Sequence, residues 1–192
     1  MKLVRAALYL GVGLVLLVPT QAYAANTSHV DATGDVVAFT PESDFEDAVP
    51  APERRNGDIR GFYYTHGKRA VIVTIRFVEL SKADGLGTVV RLNTDRGRRD
   101  IVHVAGLRPM MSSPHRSVRC NIRTSVSYAN DRVQLVVPRR CLGNPRWVRA
   151  GAGVFTGLET SEDEPLFVDE AYRNGNVTQS NDLRLGGRVL RG

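Results

Sequence analysis

The sequence predicts an all-β protein, a single antiparallel sandwich of jelly-roll type with about seven to nine strands. Three observations carry that expectation. Apolar residues alternate with period two along much of the chain, the alternating runs are separated by Gly, Asn, Asp and Pro turn chemistry at hairpin spacing, and no stretch repeats with the period of an amphipathic helix. The chain has 192 residues, 42% hydrophobic and 24% charged, which fits one globular domain and excludes collagen, coiled coil and a multi-span membrane protein.

Residues 1–24 read as a processing signal. Lys2 and Arg5 precede thirteen uncharged residues from Ala6 to Val18, and Ala22-Tyr23-Ala24 puts small residues where a signal peptidase reads them. Cleavage is expected after Ala24. The apolar run falls short of the ~20 residues a membrane helix needs, so the mature chain is expected to be secreted and not membrane-spanning. A flexible start over residues 25–30 then leads into one domain over residues 31–192.

The first clear strands are Ile59 to His66 and Ala70 to Val78, where Val71, Val73, Ile75 and Phe77 share one face. A two-residue loop at Gly67-Lys68 pairs Tyr64 with Val71 and Phe62 with Val73, and turns Tyr63 outward. Thr88 to Thr94 and Arg99 to Ala105 form a second hairpin around Asp95-Arg96-Gly97. In the third, Cys120, Ile122, Thr124, Val126 and Tyr128 share one face and Val133, Leu135 and Val137 another, with Asn130-Asp131 as the turn. A two-residue turn there sets Tyr128 against Val133 and Val126 against Leu135. It also levels Cys120 with Cys141, which in an exported chain predicts one disulfide. Arg146 to Phe155 alternates again through Val148, Ala150, Ala152 and Val154, an acidic loop is expected over residues 159–181, and Leu183, Leu185 and Val189 suggest a last strand interrupted by Gly186-Gly187.

Several of these segments together resemble a group of uncharacterised exported proteins of high-GC Gram-positive bacteria. They are Asp31-Ala32-Thr33-Gly34-Asp35-Val36, Asp58-Ile59 with His66, the run Val137-Pro138-Arg139-Arg140-Cys141-Leu142-Gly143-Asn144-Pro145-Arg146-Trp147-Val148-Arg149, and the ending from Leu183 to Gly192. The resemblance implies a sandwich similar to the DOMON and family-nine carbohydrate-binding-module type. It carries no activity.

Charge is segregated. Asp31 to Asp58 holds eight acids against two arginines, Arg91 to Arg149 holds thirteen arginines against three acids, and Thr156 to Asp182 holds seven acids against Arg173. The acidic arms are expected to neutralise the basic centre, and the alternative is that the arginines face an anionic partner. Export argues against nucleic acid.

No Gly-x-Ser-x-Gly, His-Glu-x-x-His or Cys-His couple is present, so the reading leans away from an enzyme. His66 and His103 are expected to be structural, and Gly151-x-Gly153 to serve close packing. The hydrolase alternative needs Asp58 to meet Asp182 or His66 in the fold. Asp31, Asp35 and Asp58 supply hard oxygen ligands near a glycine turn, with Asp182 able to close the set, so Ca²⁺ is the cofactor to test. For ligand binding the candidates are Tyr63, Arg123, Arg132 and Arg149, with a cell-wall polymer, a glycan or an exported protein as partner. The function expected is thus a secreted, non-catalytic binding or structural module of the cell exterior.

Overall fold

The computed structural model describes residues 25–39, 48–114, 116–158, 164–175 and 182–192; the expected signal segment, 1–24, lies outside the described residues. The fold is an all-β sandwich of two antiparallel sheets that do not close into a barrel. One sheet runs in the order β1 (Ala25–Val30), β4 (Ile59–His66), β5 (Ala70–Phe77), β11 (Arg132–Pro138) and β10 (Arg123–Ser127). The other runs β3 (Val49–Pro50), β2 (Val37–Phe39), β13 (Leu166–Glu170), β12 (Trp147–Thr156), β6 (Leu86–Thr94), β7 (Gly97–Val104), β8 (Met110–Ser113) and β9 (Arg116–Val118), and β14 (Val189–Leu190) also pairs with β12. These fourteen strands exceed the seven to nine expected because five of them are only two to four residues long.

The inward positions are those the alternation marked. Phe62 and Tyr64 of β4, Val71, Val73, Ile75 and Phe77 of β5, and Val133, Leu135 and Val137 of β11 are buried in one core with Val90 and Leu92 of β6, Ile101 of β7 and Val148, Ala150, Ala152 and Val154 of β12. The start of the domain differs from expectation. Residues 25–30 form β1, antiparallel to β4, with His29 opposite Phe62 and Val30 opposite Gly61. The acidic stretch also holds a strand, β13, because Leu166, Phe167 and Val168 find Phe39, Ala38 and Val37 of β2 as partners.

Two hairpin registers slip by two residues from the expected ones. In β4–β5 the Gly67 amide donates to the Ala70 carbonyl at 3.0 Å, which moves the turn to Lys68-Arg69, so Tyr64 faces Val73 and Phe62 faces Ile75. In β10–β11 a 3-10 turn at Tyr128–Asn130 is followed by Asp131 in the left-handed region, φ 47°, so Val126 faces Val133 and Thr124 faces Leu135. The longer turn has a use, since the Asp131 carboxylate accepts the Leu80 amide at 2.9 Å. A slip of two leaves every side chain on its original face, which is why the core is as expected although the partners are not. Cys120 and Cys141 form a disulfide with 5.8 Å between their Cα atoms, Cys141 lying in a 3-10 turn at Arg139–Leu142.

The C-terminal segment from Leu183 to Gly187 is not a strand but packs on β12. The Gly186 amide donates to the Ala150 carbonyl at 2.9 Å, and Arg149 donates to the Gly186 and Leu185 carbonyls at 2.8 and 3.0 Å. A Cβ on Gly151 would overlap the Arg184 carbonyl oxygen, a backbone atom with little freedom to yield. Gly151→Ala should therefore push this segment off β12 and cost about 1–3 kcal/mol. Thermal denaturation checks it, and an unchanged melting temperature would show that the segment contributes nothing.

Candidate functional site

Four aspartates converge at one end of the sandwich. Asp31 follows β1, Asp35 precedes β2, Asp58 precedes β4 and Asp169 stands on β13. Asp58 and Asp169 are each only 2% exposed and Asp31 is buried, while Asp35 is half-buried. Carboxylate oxygens of Asp35, Asp58 and Asp169 all lie within 4.8 Å of one another.

Each carboxylate is fixed by a backbone amide on one oxygen. Gly34 N donates to Asp58 Oδ2 at 2.8 Å, Ile59 N to Asp169 Oδ2 at 2.6 Å, Gly175 N to Asp35 Oδ2 at 3.2 Å and Tyr172 N to Asp31 Oδ1 at 3.3 Å. The local sequence supports this wiring. Gly34 and Gly175 adopt φ of 76° and 66°, which glycine takes without strain and which turn their amides toward the acids. Tyr172 also has φ 76°, a strained value for an aromatic residue, and its ring stacks on His29 at 4.2 Å and meets Phe62 edge-on at 5.7 Å. The remaining oxygens, Asp31 Oδ2, Asp35 Oδ1, Asp58 Oδ1 and Asp169 Oδ1, are buried without a hydrogen-bond partner.

Burial is the main reason that all four groups resist ionisation. It pushes Asp31 up to about 7, with the Asp35 charge adding to the shift. Burial likewise raises Asp35 and Asp58, and it raises Asp169 well above the carboxylate range with the charges of Asp35, Asp31 and Asp58 behind it.

Of the calcium set expected from sequence, the fold brings Asp31, Asp35 and Asp58 together, but Asp182 is not with them. Its carboxylate is 91% exposed and lies 3.8 Å from Arg173. Asp169 takes the fourth place. Sequence reasoning missed it because it sits inside the stretch read as an acidic loop, although Leu166 and Val168 alternate in front of it. The hydrolase pairing with His66 also fails geometrically. Asp58 and His66 bracket β4, roughly 25 Å apart along a strand. His66 is fully buried against the Val189 carbonyl, at 3.2 Å, and burial lowers its pKa.

Among the described residues, the expected neutralisation of the central arginines by the acidic arms shows in Glu170, which feels the Arg91 charge, and further compensation comes from acids inside the basic segment. Asp100, inside the basic segment, binds Arg91 and Arg98 at 2.8 and 2.6 Å; burial pushes its carboxyl up, but these two arginines outweigh it and hold the group low. Asp95 binds Arg146 at 3.1 Å.

The ligand-binding candidates divide between two surfaces. Tyr63, Arg123 and Arg132 lie on the outer face of the five-stranded sheet, whereas Arg149 belongs to β12 and spends its guanidinium on the Leu185 and Gly186 carbonyls. Arg76, which the strand pattern places on the same outward face as Tyr63, stands directly across the ladder from Arg132. Its guanidinium stands 5.1 Å from the Tyr63 ring centroid, and Gly61 leaves room for that ring, since a Cβ there would come within 3.0 Å of it. Trp147 is covered by the Arg188 guanidinium at 4.5 Å. Comparison with family models, with curated proteins and with solved structures gives no match.

Proposed function

We infer that the protein is an exported, non-catalytic binding module that presents the outer face of its five-stranded sheet to an acidic polymer of the cell exterior. The observation that carries this reading is the direct cross-strand pairing of Arg76 with Arg132. Like charges placed opposite each other in a ladder destabilise a sheet, and the outward positions of these strands hold no carboxylate to offset them. A polyanion laid on the face removes that repulsion. Around the two arginines the face offers hydroxyl and amide groups, with Gln134 Nε2 donating to Thr74 Oγ1 at 3.3 Å and Ser125 next in the same row. The rest of the chain supports an exterior setting: the signal-like segment, the disulfide, and no helix among the described residues long and apolar enough to cross a membrane.

The test is retention on cell-wall polymer. Arg76→Gln with Arg132→Gln should abolish retention and leave the melting temperature unchanged or slightly raised, because exposed charges contribute only ~0–1 kcal/mol and here they repel. Retention of the unmodified protein should fall as salt shortens the screening length below about 8 Å. Full retention by the double variant would overturn the reading.

A further inference from the structure

We propose that Asp35, Asp58 and Asp169, with Asp31 beside them, form a Ca²⁺ site that clasps the β1–β2 loop and residues 171–175 to the start of β4 and the end of β13. The first support is geometric. Oxygens on opposite sides of a calcium ion stand about 4.6–5.2 Å apart at the usual 2.3–2.6 Å bond length, and the three carboxylates fit inside that span. The second is the orphaned oxygen of Asp169. A side chain 2% exposed, held rigidly by the Ile59 amide through Oδ2, buries Oδ1 with no hydrogen-bond partner. An unsatisfied buried polar atom is expensive, and a cation bound there satisfies it together with the matching atoms of Asp31, Asp35 and Asp58.

Charge makes the same argument at longer range. Three acids from the first acidic arm and one from the second converge, and the compensation around them is slight: no lysine or arginine among the described residues lies within ion-pair distance of the four, His29 Nε2 stands 3.3 Å from Asp31 Oδ1, and Arg55 acts on Asp58 only from farther away. The donors are all hard carboxylate oxygens, without cysteine or histidine in the group, which selects Ca²⁺ over zinc or copper. The remaining places of a six- to eight-coordinate ion fall to backbone carbonyls, second carboxylate oxygens or water. The site is independent of the arginine face, so either proposal stands if the other fails.

The experiment uses the full purified protein, stripped with a chelator and then titrated with calcium chloride. Its melting temperature should climb with each tenfold rise in calcium, because a ligand of the native state stabilises it by mass action. Calorimetry should give one ion per chain with a dissociation constant of about 10⁻⁴ to 10⁻³ M, the range of extracellular calcium modules. Asp169→Asn keeps an oxygen to accept the Ile59 amide and replaces a carboxyl that burial and its acidic neighbours already keep from ionising, so the variant should fold at least as well without calcium and lose the calcium response. Asp182→Asn should retain that response in full. A melting temperature indifferent to calcium, or an Asp169→Asn variant that still responds, would overturn the site and leave the four carboxyls sharing protons instead.

Discussion

Replacing both cysteines with serine should cost about 3 kcal/mol, seen as a lower urea midpoint and a melting temperature roughly 6–12 °C down. Cys120 lies in the link between β9 of the large sheet and β10 of the small one, and Cys141 follows β11, so the bridge closes a loop with a separation of 21 residues. In the oxidised unfolded chain that loop is already closed, which is where the entropic gain arises. The native state gains as well, since Ile122 and Leu142 next to the bridge are buried in the main core. Reduction of the unmodified protein should reproduce the loss. A change below about 1 kcal/mol would mean that the 119–122 link is held by packing alone.

The parts of the fold legible in the sequence are those where local pattern and burial agree. Val71, Val73, Ile75 and Phe77 alternate because one face of β5 meets the core, and that needs no partner to be known. Register was less legible. Asp131 lengthens its turn to reach the Leu80 amide, a contact 51 residues away in sequence that no hairpin rule contains. β1 and β13 escaped for a related reason: each is a strand only because a distant segment offers an edge, β4 for the first and β2 and β12 for the second. The acidic site was three-quarters legible, since Asp31, Asp35 and Asp58 announce themselves around Gly34, whereas Asp169 depends on β13 being a strand. Likewise Arg132 and Arg76 were each legible as outward residues of their strands, but their pairing follows only from the β5–β11 ladder.

Phe62→Ala should be the most damaging single change in the core, about 3–5 kcal/mol, because the ring is fully buried at the middle of β4. Phe62 faces His29 across β1 and Ile75 across β5, and its ring meets Tyr64 and Tyr172, each at 5.7 Å between centroids. The Tyr172 contact extends the effect beyond lost burial. Tyr172 is held at φ 76° between Phe62 and His29, and a strained residue keeps such a conformation only while its surroundings enforce it. Its amide is the one that fixes Asp31, and the same turn carries the Gly175 amide that fixes Asp35. Emptying the Phe62 site should therefore slacken residues 171–175 and shrink the calcium-induced rise in melting temperature along with the baseline. Phe62→Leu keeps most of the volume, so it should lose less than about 1.5 kcal/mol and keep more of the calcium response. Melting curves of both variants with chelator and with calcium separate the two effects. A Phe62→Ala protein that is destabilised but shows the full calcium shift would place the rigidity of the 171–175 turn in its own backbone bonds, not in the aromatic contact beneath it.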